Sequence, residues 1–388
     1  MAEEYFDIII VGGGPAGCST ALHLLQRSPK WAGRIVILER EKFPREKLCA
    51  GAITRYGEAI LSGLGLSIVV PTIDVREMRV QFENFTVAVQ HTPVFRVTRR
   101  AEFDHWLYDT TRESGVDIRE NEKVREIDFA NNEVIVSTQN SVFRGRVVVG
   151  ADGSKGIVRR YVGENRNNRT ARLLEVVTPE DPSQAPEFSE KFATFEFTPL
   201  NKELQGYYWD FPSLIQNEAH MNRGVFDARI RTERPRAALQ DILRTELSAR
   251  GRSLENVELK GHPMRWFGWR GPFSRPNVLL VGDAAGVDPL LAEGISFALA
   301  YGKVAAAVIE SAFISRDFRF RNYRQHLLRD RLGLTLLARQ SAADMLYRPL
   351  GRQLWRIFFH TLPLGVRILV PAMRGFRLEI RYNTSTQR

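Results

Sequence analysis

The chain has 388 residues, 44% hydrophobic and 26% charged, with a formal net charge of +10. That length and balance suit two domains or one large composite domain of ordinary globular composition. Two cysteines, Cys18 and Cys49, exclude a disulfide framework and a cysteine-based metal cluster, and the seven histidines lack ligand spacing, so no metal site is expected.

The N-terminus is acidic and runs straight into a β-branched strand, Asp7 to Val11. It lacks the basic region and cleavage site of a signal peptide, so a reducing, cytoplasmic setting is expected. Gly12, Gly14 and Gly17 follow in a G-x-G-x-x-G turn that opens a helix. Gly12 permits the turn, Gly14 admits a pyrophosphate and Gly17 lets helix and strand pack. With Pro15 and Ala16 they place unpaired helix amides at a phosphate site. A second strand, 33–40, ends in Glu39 and Arg40. A carboxylate at that distance suits the ribose hydroxyls of an adenosine. The order strand, turn, helix, strand, carboxylate predicts a dinucleotide site.

Next comes "EKLCAGAIT", a glycine-bearing loop carrying Cys49 and Ala50. Strand patterns follow at 74–82, 191–199, 206–212 and 223–230. Helical spacing marks 236–250. A start at Arg100 with Phe103, Asp104 and Leu107 predicts another helix. A strand at 146–150 leads into Asp152-Gly153. A further strand at 277–281 leads into Gly282-Asp283-Ala284-Ala285-Gly286, and a helix is expected near Gly294 and Ile295. The segment 331–388 has ten arginines against Asp344 and Glu379. Its stretch 347–377 is too interrupted to span a bilayer and reads either as interfacial helices, with Trp355, Phe358 and Phe359 toward lipid and arginines toward phosphates, or as a helical cap packed on the body. The arginines lack a recognition fold around them, so no nucleic acid is expected.

These glycine, Asp-Gly and Gly-Asp motifs, in this order, resemble the para-hydroxybenzoate hydroxylase fold group of FAD enzymes. The resemblance implies an α/β (α+β overall) chain: a Rossmann-like FAD-binding domain from 1–70, 98–165 and 268–330, an antiparallel-sheet substrate domain from 71–97 and 166–267, and a helical C-terminal segment, 331–388. It implies that Asp283 binds the ribityl chain or pyrophosphate, that the amides after Gly286 face the flavin, and that Arg100 lies near it. A helix N-terminus at Gly294-Ile295 suits the negative charge of a reduced flavin ring.

Lys47-Leu48-Cys49-Ala50-Gly51 together with Tyr207-x-Trp209-x-Phe211-Pro212 resembles the geranylgeranyl reductase family, which saturates polyprenyl double bonds. There a Cys-Gly-Gly-type loop borders the flavin and the aromatic strand lines the lipid tunnel. Here the loop reads Cys-Ala-Gly-Ala. The resemblance implies Cys49 at the reaction centre and Tyr207, Trp209, Phe211 and Pro212 around substrate. Alternate strand residues share a face, so the three aromatics are expected to line it together. His262 and His105 are the acid–base alternatives. No second nucleotide fingerprint occurs, so the electron donor is expected to be transiently bound NADPH or NADH, or a ferredoxin-like protein. The alternative activity is FAD-dependent monooxygenation of an aromatic or polyketide-like molecule.

Overall fold

Glycine-flanked β-branched runs form the centre of one half of the molecule. The computed structural model describes residues 3–163, 170–255, 257–348, 353, 355–357 and 377–382. Ile8–Val11, Ile35–Leu38 and Val147–Gly150 are buried along their whole length, as strands covered on both faces are. They sit in a six-stranded sheet ordered Ser274–Arg275, Val278–Leu280, Val147–Gly150, Ile8–Val11, Ile35–Leu38, Asp117–Arg119. All its pairs are parallel except the edge hairpin of the first two strands. A smaller sheet, ordered Glu3–Tyr5, Val142–Gly145, Glu133–Thr138, Val124–Ala130, adjoins it.

Two helices cover the parallel sheet in close contact, Pro15–Arg27 and Ile295–Ser315. Gly302 allows the approach, because a Cβ there would lie 2.6 Å from Ser19 Oγ. Ser19 Oγ donates to the Leu299 carbonyl at 2.7 Å. The second helix is apolar and long enough to cross a membrane by composition alone, and 67% of its most apolar window is buried within the fold.

The other half is a nine-stranded sheet. Its order is Lys260–Arg265, Thr170–Pro179, Glu218–Asp227, Gly206–Ile215, Phe192–Glu196, Thr72–Phe82, Phe85–Thr98, Arg377–Tyr382, with Ala52–Thr54 also paired to Phe85–Thr98. The expected purely antiparallel sheet needs correcting, since Phe192–Glu196 runs parallel to Thr72–Phe82. Between those strands the chain leaves for the dinucleotide half and returns at Thr170, so no hairpin sets their direction. Ala52–Thr54 pairs with this sheet while Ile53 packs in the core of the dinucleotide half.

The C-terminal segment is partly β. Arg331–Leu346 is helical as expected, and Arg377–Tyr382 adds an antiparallel edge strand, tied by Arg381 to Glu77 at 3.1 Å. Trp355 does not face lipid. It is buried in the core beneath the large sheet, 4.5 Å from the Phe197 ring centroid, while Arg356 pairs with Glu83 at 2.9 Å. Of the rest of the interfacial reading, Arg348 and Arg377 are exposed, while Arg352, Phe358, Phe359, Arg367 and Arg374 lie outside the described residues.

Candidate active site

The N-terminal turn admits side chains selectively. Gly12 has φ +110°, and a Cβ there would stand 2.4 Å from the Ala151 carbonyl oxygen. A Cβ at Gly17 would lie 2.0 Å from the Gly12 carbonyl oxygen. Neither position accepts another residue. Gly14 differs: its φ is −79°, and a Cβ would meet only the Arg45 guanidinium, at 3.3 Å. The space it leaves lies over the start of Pro15–Arg27, where no side chain caps the helix. Unpaired amides and the positive end of the helix dipole favour an anion there.

Glu39 ends the neighbouring strand, buried. Its Oε2 accepts from the Gly13 amide at 2.9 Å and its Oε1 from the Glu41 amide at 3.0 Å. Arg40 is exposed and pairs with Glu41 at 3.2 Å. Arg45 stands between Glu39, at 3.8 Å, and Asp104, at 3.4 Å, and its Nε has no hydrogen-bond partner among the described residues.

These groups line one end of a cavity of about 1200 Å³, above the ~300–1,000 Å³ typical of drug-sized ligand sites. Pro15, Ala16, Asp152, Gly153, Asp283, Gly294 and Ile295 line it as well. Gly294 caps the helix Ile295–Ser315 as expected. Gly17, Gly282 and Gly286 do not reach the cavity; they shape the turns around it. At Gly286, with φ +115°, a Cβ would lie 2.8 Å from the Trp266 carbonyl oxygen. Of the amides after Gly286, several are bonded within the protein. Val287 N donates to the Arg265 carbonyl at 3.1 Å, and the Leu290 and Leu291 amides donate to Asp288 at 2.8 and 3.2 Å.

Burial pushes the Asp152 carboxyl up to about 6, against the pull of the Val158 amide. Its Oδ1 is buried without a hydrogen-bond partner among the described residues. Arg100 reaches the cavity but grips Asp104 with two bonds, at 2.7 and 2.8 Å, beside the Cys49 thiol. Lys47 donates to His262 Nε2 at 2.7 Å. Burial and then the Lys47 cation hold the His262 pKa down, at about 3. A neutral imidazole that accepts from Lys47 anchors the loop. His105 sits away from the cavity, against Asp109 at 3.2 Å.

The other end of the cavity is apolar. Cys49 and Ala50 border it, and Tyr207, Trp209 and Phe211 line it together, as strand alternation predicts. Phe195 and Phe226 extend the wall: the Phe195 ring centroid lies 5.1 Å from those of Tyr207 and Phe211. Pro212 is a correction. It falls on the strand's opposite face with Tyr208 and Asp210, outside the lining. Asn222, Arg45 and Glu175 are site groups that no motif marked. Asn222 accepts from the Trp209 indole at 2.8 Å and donates to the Cys49 carbonyl at 3.3 Å. Four basic residues, Arg40, Lys42, Arg45 and Lys47, in one loop after Glu39 were the available signal for Arg45.

The family model described as "FAD binding domain" matches residues 5–299. The chain belongs to that family. Among relatives, this FAD-binding chain is 27% identical over 336 residues to a menaquinone reductase of Mycolicibacterium smegmatis, spanning 80% of this chain and 77% of that protein. It is 26% identical over 351 residues to digeranylgeranylglycerophospholipid reductase 2 of Methanopyrus kandleri, spanning 80% and 78%. A geranylgeranyl bacteriochlorophyll reductase-like structure from Thermoplasma acidophilum shares the fold with a TM-score of 0.71 at 20% identity, covering 95% of this chain and 99% of that one. Halogenase PltM shares it at a TM-score of 0.68 and 16% identity, covering 93% and 80%. The protein is an FAD-dependent oxidoreductase.

The residues present fit FAD. The open space at Gly14, the uncapped helix start, the Glu39 carboxylate and the Arg45 cation suit an adenosine and pyrophosphate. Asp283 and the helix start at Ile295 lie further along the same cavity.

Proposed function

We propose that the protein reduces carbon–carbon double bonds of a polyprenyl or similarly apolar substrate. One observation carries this reading: the dinucleotide cradle, the Cys49 loop and the aromatic wall line a single cavity. When bound and reduced, FAD supplies a hydride. The chain's residues do the rest. Tyr207, Trp209 and Phe211 offer rigid apolar surface with little entropy to lose. Tyr207 is fixed by donating to the Leu291 carbonyl at 2.6 Å, and Trp209 by its bond to Asn222. An isolated alkene has no carbonyl to polarise, so rate depends on alignment in a dry pocket and on a nearby proton. Names of relatives support the reading, since menaquinone and geranylgeranyl lipids both carry isoprenoid chains. The reductant is proposed to be a transiently bound nicotinamide nucleotide or a ferredoxin-like protein.

The test is anaerobic incubation of yellow holoprotein with dithionite or NADPH and a geranylgeranyl lipid, read by mass spectrometry. The expected product carries one added pair of hydrogens per bond. Unchanged lipid, with oxygen consumption and hydroxylation of an aromatic substrate in air, would replace this reading with monooxygenation.

A further inference from the structure

The aromatic wall contains one acid. Thr170–Pro179 contributes Leu173 and Glu175 to the cavity. Among the described residues of the nine-stranded sheet that line it, Glu175 alone carries a carboxyl group. It is 3% exposed, and its Oε2 has no hydrogen-bond partner among the described residues. A buried acceptor left unmatched is costly, so its presence in a greasy cavity calls for an explanation.

Register gives its position. Glu175 pairs with Gly224, and Gly224 pairs with Trp209. No side chain stands between them, because a Cβ at Gly224 would lie 2.3 Å from the Trp209 ring. The carboxyl therefore neighbours the indole on the cavity face, next to the Asn222 side chain and the Cys49 backbone amide.

Resting on the alkene-reduction reading above, we propose that Glu175 is the proton donor to the substrate. The alkene's π pair and an incoming hydride, with reduced flavin as the two-electron reductant, form two new C–H bonds. One of them takes its hydrogen from Glu175. The carboxyl O–H breaks, its electron pair stays on oxygen, and the resulting carboxylate regains a proton from solvent before the next turnover.

Electrostatics suits the role. Burial is the largest influence and pushes the carboxyl up to about 7. The Asn222 side chain, the Arg99 cation, the Cys49 amide and the Lys260 cation pull it back down. A group balanced there holds its proton in the dry pocket yet can release it near neutrality.

The experiment compares FAD-loaded wild type, Glu175→Gln, Glu175→Asp and Cys49→Ala. Single turnovers of dithionite-reduced holoprotein with a geranylgeranyl lipid are followed across pH. Wild type should slow as pH rises through about 7. Glu175→Gln should lose ~10²-fold or more of the rate at acidic pH and lose that limb. Glu175→Asp should recover part of the rate, and Cys49→Ala should keep the limb.

A second readout needs no turnover. A raised carboxyl binds more protons folded than unfolded, so wild type must lose stability relative to Glu175→Gln as pH rises from ~4.3. The difference should level off above about 7. Wild-type rate and profile in Glu175→Gln, with alkene reduction intact, would overturn the donor role and leave the activity standing. A limb lost only in Cys49→Ala would move the role to the thiol, and a flat stability difference would also overturn the assignment. A wild type that shows the stability signature but leaves every double bond intact would sink the activity, and the donor role with it.

Discussion

At Gly12 and Gly17 the backbone dictates glycine, so substitution there tests folding; at Gly14 it tests binding. Gly14→Val faces no backbone strain at φ −79°, and its branches would project into the space beside Arg45. The variant should fold, keep its thermal transition and purify colourless. Absorbance near the flavin bands against protein concentration checks this; a full complement of FAD would refute the pyrophosphate assignment. The glycine pattern made this site legible because close backbone approach leaves a compositional trace. Glu175 left none. A single glutamate in a strand reads as a solvated face until the sheet is assembled and shows which side is buried. Asn222 was equally silent, since its role depends on a strand thirteen residues away meeting a loop far upstream.

Strand alternation carried the aromatic trio to one face, and the same period removed Pro212 from it, a consequence the motif alone obscured. Helices and parallel strands of the dinucleotide half were readable because each is a local apolar run bounded by glycine. What joins them was not. Arg331–Leu346 sends Arg339 to Glu293 at 2.7 Å and to Asp288, whose side chain is fully buried. Asp288 in turn caps the Leu290 and Leu291 amides, and Leu291 accepts from Tyr207. One arginine thus fixes the loop leading to Gly294 and one end of the aromatic wall. Arg339→Met should leave the buried Asp288 carboxyl without its cation, a loss of ~3–5 kcal/mol for a broken buried pair. A thermal scan of holoprotein should show a midpoint several degrees lower and weaker FAD retention. An unchanged midpoint would mean that Asp288 is held by its own amides alone.

Over the whole molecule, two cores face one cavity: the parallel sheet presents phosphate-binding turns and the large sheet presents an oily wall. Composition could not reveal that arrangement. It depends on Phe192–Glu196 pairing parallel to Thr72–Phe82 across a long excursion, and on a C-terminal strand closing the far edge. Nor could it show that Trp355 serves the core rather than a membrane, because helical amphipathicity fits either partner. The net charge still demands an account. Trp355 is spent inside and Arg356 is paired with Glu83; we propose that the remaining arginines of 347–377 draw the protein to an anionic membrane surface. Charge is then the variable to change. Reversing Arg367 and Arg374 to glutamate removes two attractions worth ~1 kcal/mol each at an anionic surface and adds repulsion. Binding to vesicles rich in anionic phospholipid should fall at least ~10-fold, while turnover of a detergent-dispersed lipid stays the same. Equal sedimentation with anionic and neutral vesicles, before and after the change, would show that the cavity receives its substrate by another route.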